Sequence, residues 1–146
     1  MFYQTDPKLQ FRAKSDCYIF NILRIHEIVG AHEFTRTQIK QLRDVAVRTG
    51  FIGQDGYINE RGISGLATVA SGISKHYVYI KRVGSNDPYN FIIGEFMRIA
   101  GTRRIIHFNL MEDKDTVMFD PWSKLGALTT KEGNIIGYRY LFAEAI

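Results

Sequence analysis

Residues 17–29, CYIFNILRIHEIV, constrain this chain more than any other stretch. They read as a helix with Ser15 or Asp16 as N-cap and Gly30 as the stop. Apolar side chains fall on nearly every side of it, at Tyr18, Ile19, Phe20, Ile22, Leu23, Ile25, Ile28 and Val29. A helix that is apolar all round cannot lie on a surface, so the rest of the chain is expected to enclose it.

The downstream residues supply the enclosure. A second helix is predicted from Thr35, where Thr35-x-x-Gln38 resembles a capping box, to near Gly50. A third is predicted over Glu60–Ser71, although Gly62 and Gly65 oppose it. From about residue 75 the texture becomes β-rich. Strands are expected at His76–Val83, Phe91–Ile99, Arg103–Glu112, Thr116–Asp120 and Ile135–Phe142, separated by turn signals such as Gly84-Ser85-Asn86-Asp87-Pro88. Helices first and antiparallel strands second imply an α+β fold with the buried helix packed on the sheet. With 146 residues and no linker or repeat, one domain over 1–146 is expected.

Composition narrows the function classes. The net charge of +4 would tolerate an anionic partner, but Lys and Arg are interleaved with Asp and Glu. The single cysteine rules out an internal disulfide and paired-cysteine metal sites. No apolar run suits a signal peptide, and none approaches the roughly eighteen residues of a membrane span. The chain therefore reads as a soluble, reduced, cytoplasmic protein with no membrane partner.

The stretch RRIIHFNLMEDKDTVMFDPW, residues 103–122, reads as a hairpin. A two-residue turn at Asp113-Lys114 opposes Leu110 to Val117, Phe108 to Phe119 and His107 to Asp120. Phe108, Leu110, Val117 and Phe119 then line one apolar face, and His107, Asn109, Met118 and Asp120 share the other. Opposed Cβ atoms are about 5 Å apart, close enough for an imidazole–carboxylate hydrogen bond. Such an Asp orients the ring, fixes its tautomer and stabilises the imidazolium. A structural His–Asp pair on a polar sheet face would have the same sequence.

Cys17 stands at the first or second position of the buried helix. Unpaired amides and the helix dipole there favour a thiolate, and a nearby imidazolium would favour it further. A lone cysteine can equally be a small buried hydrophobe.

Ser15-Asp16-Cys17, His107-Phe108 and Asp120-Pro121-Trp122, in that order, resemble the papain-like cysteine peptidase superfamily. In particular they resemble its bacteriocin-processing (double-glycine leader) peptidase branch and small relatives, across roughly residues 10–122. The resemblance implies a papain-like fold with Cys17 as nucleophile, His107 as general base and acid, and Asp120 as orienting group. It also implies Gln10 as an oxyanion donor alongside the Cys17 amide. Gln10 lies one residue farther from the cysteine than the usual family spacing. Tyr18 follows the cysteine where many relatives carry a small residue. Trp122 would shield the His–Asp bond, or simply pack in the core.

Other candidates have plainer readings. His26 and His32 have no cysteine or acidic partner at metal-ligand spacing, so no zinc site is expected and His26 reads as a packing residue. Arg61-Gly62-Ile63-Ser64-Gly65 lacks the strand, turn and lysine of a phosphate loop, and no cofactor is implied. Arg36, Lys40 and Arg43 share a helix face that could meet phosphates, although Asp44 among them suits a solvated face. The leading expectation is a cysteine hydrolase that cleaves an amide, most simply a peptide bond, through an acyl-enzyme. Its rival is a catalytically idle binding module on the same fold, engaging a protein or a nucleic acid.

Overall fold

The computed structural model describes residues 2, 6, 8–9, 16–53, 58, 62–121 and 133–146. The described chain is α+β, with three helices followed by five strands. These are α1 (Asp16–Gly30), α2 (Arg36–Arg48), α3 (Gly62–Ser74), β1 (Val78–Val83), β2 (Phe91–Ala100), β3 (Arg103–Met111), β4 (Val117–Phe119) and β5 (Asn134–Ala145). The strands make one antiparallel sheet in the order β1-β5-β2-β3-β4.

All residues of α1 from Cys17 to Leu23 are buried, as an all-round apolar helix requires. Further along, Ile28 reaches the surface. The helix packs with Ile39, Leu42 and Ala46 of α2, Ile63, Leu66 and Ala70 of α3, and one sheet face carrying Val78, Ile80, Ile93, Leu110, Phe119, Leu141 and Ala143. The other sheet face has a smaller apolar cluster of Ile92, Phe96 and Met111, flanked by Val117, Ile135, Tyr138 and Tyr140.

Thr35 and Gln38 form the capping box that their spacing predicts: the Gln38 amide donates to Thr35 Oγ1, and the Thr35 amide donates to Gln38 Oε1. Gly30 does not terminate α1 in the expected way. The left-handed residue is Ala31, at φ 53°, whereas Gly30 is needed for space. A Cβ there would meet His32 Cδ2 at 2.9 Å and Val78 Cγ2 at 3.1 Å. Gly65, which argued against α3, has a similar role: the Phe51 ring occupies the place of its missing Cβ, with the nearest ring atom at 2.5 Å. Close packing of the α2–α3 connection on α3 outweighs the helix propensity lost there.

An edge strand offers unpaired backbone groups, and α3 covers those of β1. Ser64 Oγ donates to the Ile80 carbonyl at 2.9 Å, and the Val78 amide donates to Ser71 Oγ at 3.0 Å. Among the described residues, no helix is long and apolar enough to cross a membrane.

Candidate active site

Beyond Leu110 the β3–β4 hairpin departs from the simple register. A two-residue hairpin turn favours Gly or Asn at positive φ, and Asp113-Lys114 supplies neither. The turn instead widens: the Glu112 amide donates to the Thr116 carbonyl at 2.8 Å, and Asp113 Oδ1 accepts the Asp115 amide at 2.8 Å. Leu110 therefore pairs with Phe119 and Met111 with Val117, with a bulge between them. The expected pairings of Leu110 with Val117, Phe108 with Phe119 and His107 with Asp120 do not form. The bulge also separates Val117, which joins the Met111 cluster, from Phe119, which joins the main core.

His107 and Asp120 nevertheless meet. His107 pairs across the sheet with Phe96, on the face of Ile92 and Met111. Asp120 directly follows β4, and its Oδ1 lies 2.7 Å from His107 Nε2. Both are nearly sealed, at 4% and 5% exposure. A carboxylate can only accept, so the proton between them belongs to Nε2 and the basic nitrogen of the neutral ring is Nδ1.

Cys17 is the second residue of α1 and is 1% exposed. One turn later on the same face of the helix is Asn21, which is fully buried. Asn21 Nδ2 donates to the Phe108 carbonyl at 2.9 Å, and the Tyr18 ring meets the Phe108 ring edge-on at a centroid distance of 5.0 Å. The first turns of α1 are thus fastened to the main chain of β3 beside His107. The bulk of Tyr18 is taken up by the core packing against Phe108. Gln10, Trp122 and the N-cap candidate Ser15 lie outside the described residues.

A second constellation was not legible from spacing. His26 is fully buried, and its Nε2 lies 3.1 Å from Ser71 Oγ while its Nδ1 lies 2.7 Å from His32 Nε2. His32 stacks on His76, with centroids 4.4 Å apart and planes 7° from parallel. Hydroxyl, imidazole and second imidazole follow one another as nucleophile, base and orienting group would. The hydroxyl is engaged, however: Ser71 Oγ donates to the Ala67 carbonyl at 2.8 Å, receives the Val78 amide, and belongs to a residue only 4% exposed. This array is structural. Burial, with His32 and His76 next in importance, pushes His26 down to about 4. Burial also raises the carboxyl of Glu27, which accepts the Phe34 amide at 2.8 Å.

Among the described residues, no group of three or more His, Cys, Asp or Glu side chains is placed to hold a metal ion. The basic face of α2 is partly committed. Arg36 pairs with Asp6 at 3.0 Å and lies 4.2 Å from the centre of the Phe2 ring, Arg43 is half-buried, and Lys40 is exposed.

Comparison with protein-family models, with curated proteins and with solved structures finds no match to this chain.

Proposed function

We propose that this chain is a cysteine hydrolase of papain-like fold that cleaves an amide, most simply a peptide bond, using Cys17, His107 and Asp120. The buried hydrogen bond between His107 Nε2 and Asp120 Oδ1 carries the reading. It orients an imidazole whose Nδ1 is the basic nitrogen, and the Asn21–Phe108 bond fastens the cysteine-bearing helix to the same strand. In this proposal His107 Nδ1 takes the Cys17 proton, and the thiolate attacks the carbonyl carbon. The imidazolium, held by Asp120, returns the proton to the leaving nitrogen as the C–N bond breaks. Water then attacks the thioester with His107 as base, releasing the acid and restoring the thiol. The Cys17 amide and Gln10 are the proposed donors to the oxyanion.

The test is turnover of a fluorogenic peptide library before and after iodoacetamide, with Cys17→Ala alongside. Loss of turnover in both, with Cys17 recovered as the alkylated residue, supports the proposal; unchanged turnover sinks it. The 1% exposure of Cys17 favours one second reading, an idle binding module that holds a protein or nucleic acid. Partner binding that survives Cys17→Ala but fails when Arg36, Lys40 and Arg43 are neutralised would select it.

A further inference from the structure

Three of the four histidines in the sequence gather at one corner, distant in the chain from the proposed catalytic pair. They come from three places: His26 from α1, His32 from the α1–α2 turn, and His76 from the α3–β1 connection. Their protonation states follow from the hydrogen bonds. The Ser71 hydroxyl proton goes to the Ala67 carbonyl at 2.8 Å, its shortest acceptor, ahead of the Val78 carbonyl at 3.2 Å. Ser71 Oγ therefore accepts from His26 Nε2–H, which leaves the lone pair of neutral His26 on Nδ1. That lone pair accepts from His32 Nε2–H at 2.7 Å.

The array tolerates one added proton better than two. A proton on His32 Nδ1 leaves the bond to His26 intact and makes it charge-assisted, although burial and then His76 lower His32 from its ordinary value. A charge on His76 as well would stack two imidazoliums 4.4 Å apart. A proton on His26 Nδ1 would set N–H against N–H across 2.7 Å and put a charge at a fully buried residue.

Charged groups on the packed elements flank the array. On α1, Glu27 is buried and holds the same turn: its carbonyl accepts the His32 amide at 3.1 Å and its carboxyl accepts the Phe34 amide. Burial raises that carboxyl, so its protonation in acid favours the folded turn and works against release. Arg24 lies 3.5 Å from Glu27. Glu33 flanks His32 and is exposed, Lys75 flanks His76 and is exposed, and α3 meets the array with uncharged groups, Ser71 Oγ at His26 and Ser74 Oγ at the His76 amide.

We propose that Ser71, His26, His32 and His76 form an acid-released latch, which holds the α1–α2 turn against the α3–β1 corner and lets go when it takes up more than one proton. The latch lies about 13 Å along α1 from Cys17, at 1.5 Å per residue. It stands independently of the proposed hydrolase activity.

Hydrogen exchange read by mass spectrometry between pH 7 and 4.5, with intrinsic rates normalised, tests this on the full chain. Segments 26–35 and 71–78 should lose protection at least tenfold more than β2 and β3 do. His32→Gln keeps a donor for His26 Nδ1 but carries no charge, and should shrink the local loss to under threefold while the fold persists by circular dichroism. Equal loss across the whole fold, no local loss in the unsubstituted protein, or an undiminished local loss in folded His32→Gln would each overturn the latch. Should His32→Gln not fold at pH 7, the comparison of segments in the unsubstituted protein decides alone.

Discussion

His107 Nε2 and Asp120 Oδ1 lie 2.7 Å apart, yet the two residues are not partners in the β3–β4 ladder, where Leu110 faces Phe119 and Met111 faces Val117. Asp120 reaches the ring because it follows the short strand, just past a bulge. Asp120→Asn preserves shape but can donate to Nε2, favouring the opposite tautomer. If the hydrolase proposal holds, kcat should fall by about 10³–10⁴, since tautomer control in hydrolytic triads has effects of that size. Stability should fall by only about 1–3 kcal/mol, the cost of a disrupted buried hydrogen bond. Steady-state kinetics beside urea unfolding separates the two effects.

Asn21 joins α1 to the Phe108 carbonyl from a fully buried position. Asn21→Ala leaves that acceptor in the interior without its donor. A loss of about 1–3 kcal/mol is expected. Alkylation of Cys17, followed by mass spectrometry, should also quicken as the start of α1 loosens. A variant as stable and as slowly alkylated as the parent would show that this bond does not secure the helix.

The depressed His26 makes a signed prediction about pH. Its folded value is about 4 against an ordinary 6.5, so between these the unfolded chain binds more protons. The stability it confers is complete above 6.5 and is lost as pH falls towards 4, up to about 3 kcal/mol. Glu27 has the opposite sign: its carboxyl is raised, so stability falls as pH rises above its ordinary 4.5. His26→Gln should therefore reduce the acid-side loss between pH 6.5 and 5, leaving the part that comes from His32, which burial and His76 also lower, set against the reverse slope of Glu27. Urea midpoints across that range measure it.

The Phe51 ring fills the space that a side chain at Gly65 would need. Gly65→Ala should therefore destabilise, by about 1–3 kcal/mol, although alanine is the better helix former. Gly72, on the same helix, has no atom within 4 Å of an added Cβ, so Gly72→Ala should be neutral or stabilising by up to about 1 kcal/mol. Thermal unfolding of the pair distinguishes crowding from propensity.

Much of the fold was legible because its signals are local. The apolar residues of α1, the capping box at Thr35 and the β-rich stretches after residue 75 each act within a few residues, and the corresponding elements form. The hairpin was legible only in part. Apolar alternation placed Phe108 and Leu110 on the helix side, but the turn chemistry of Glu112–Thr116 reset the register and turned Val117 to the opposite face. At the candidate site, residue order drew attention to His107 and Asp120, whereas Asn21, which fastens α1 beside them, showed no sign of that role in the pattern.

The sequence by itself determined that a helix apolar on all sides had to be enclosed by the chain, and that helices would precede strands. These follow from side-chain polarity read at the periods of helix and strand. The tertiary structure alone decided that His26 would meet Ser71, 45 residues away, that Phe51 would use the space of Gly65, and that Asp120 would reach His107 around a bulge. Such contacts depend on how elements pack and on single-residue shifts in strand register, and no local periodicity encodes either.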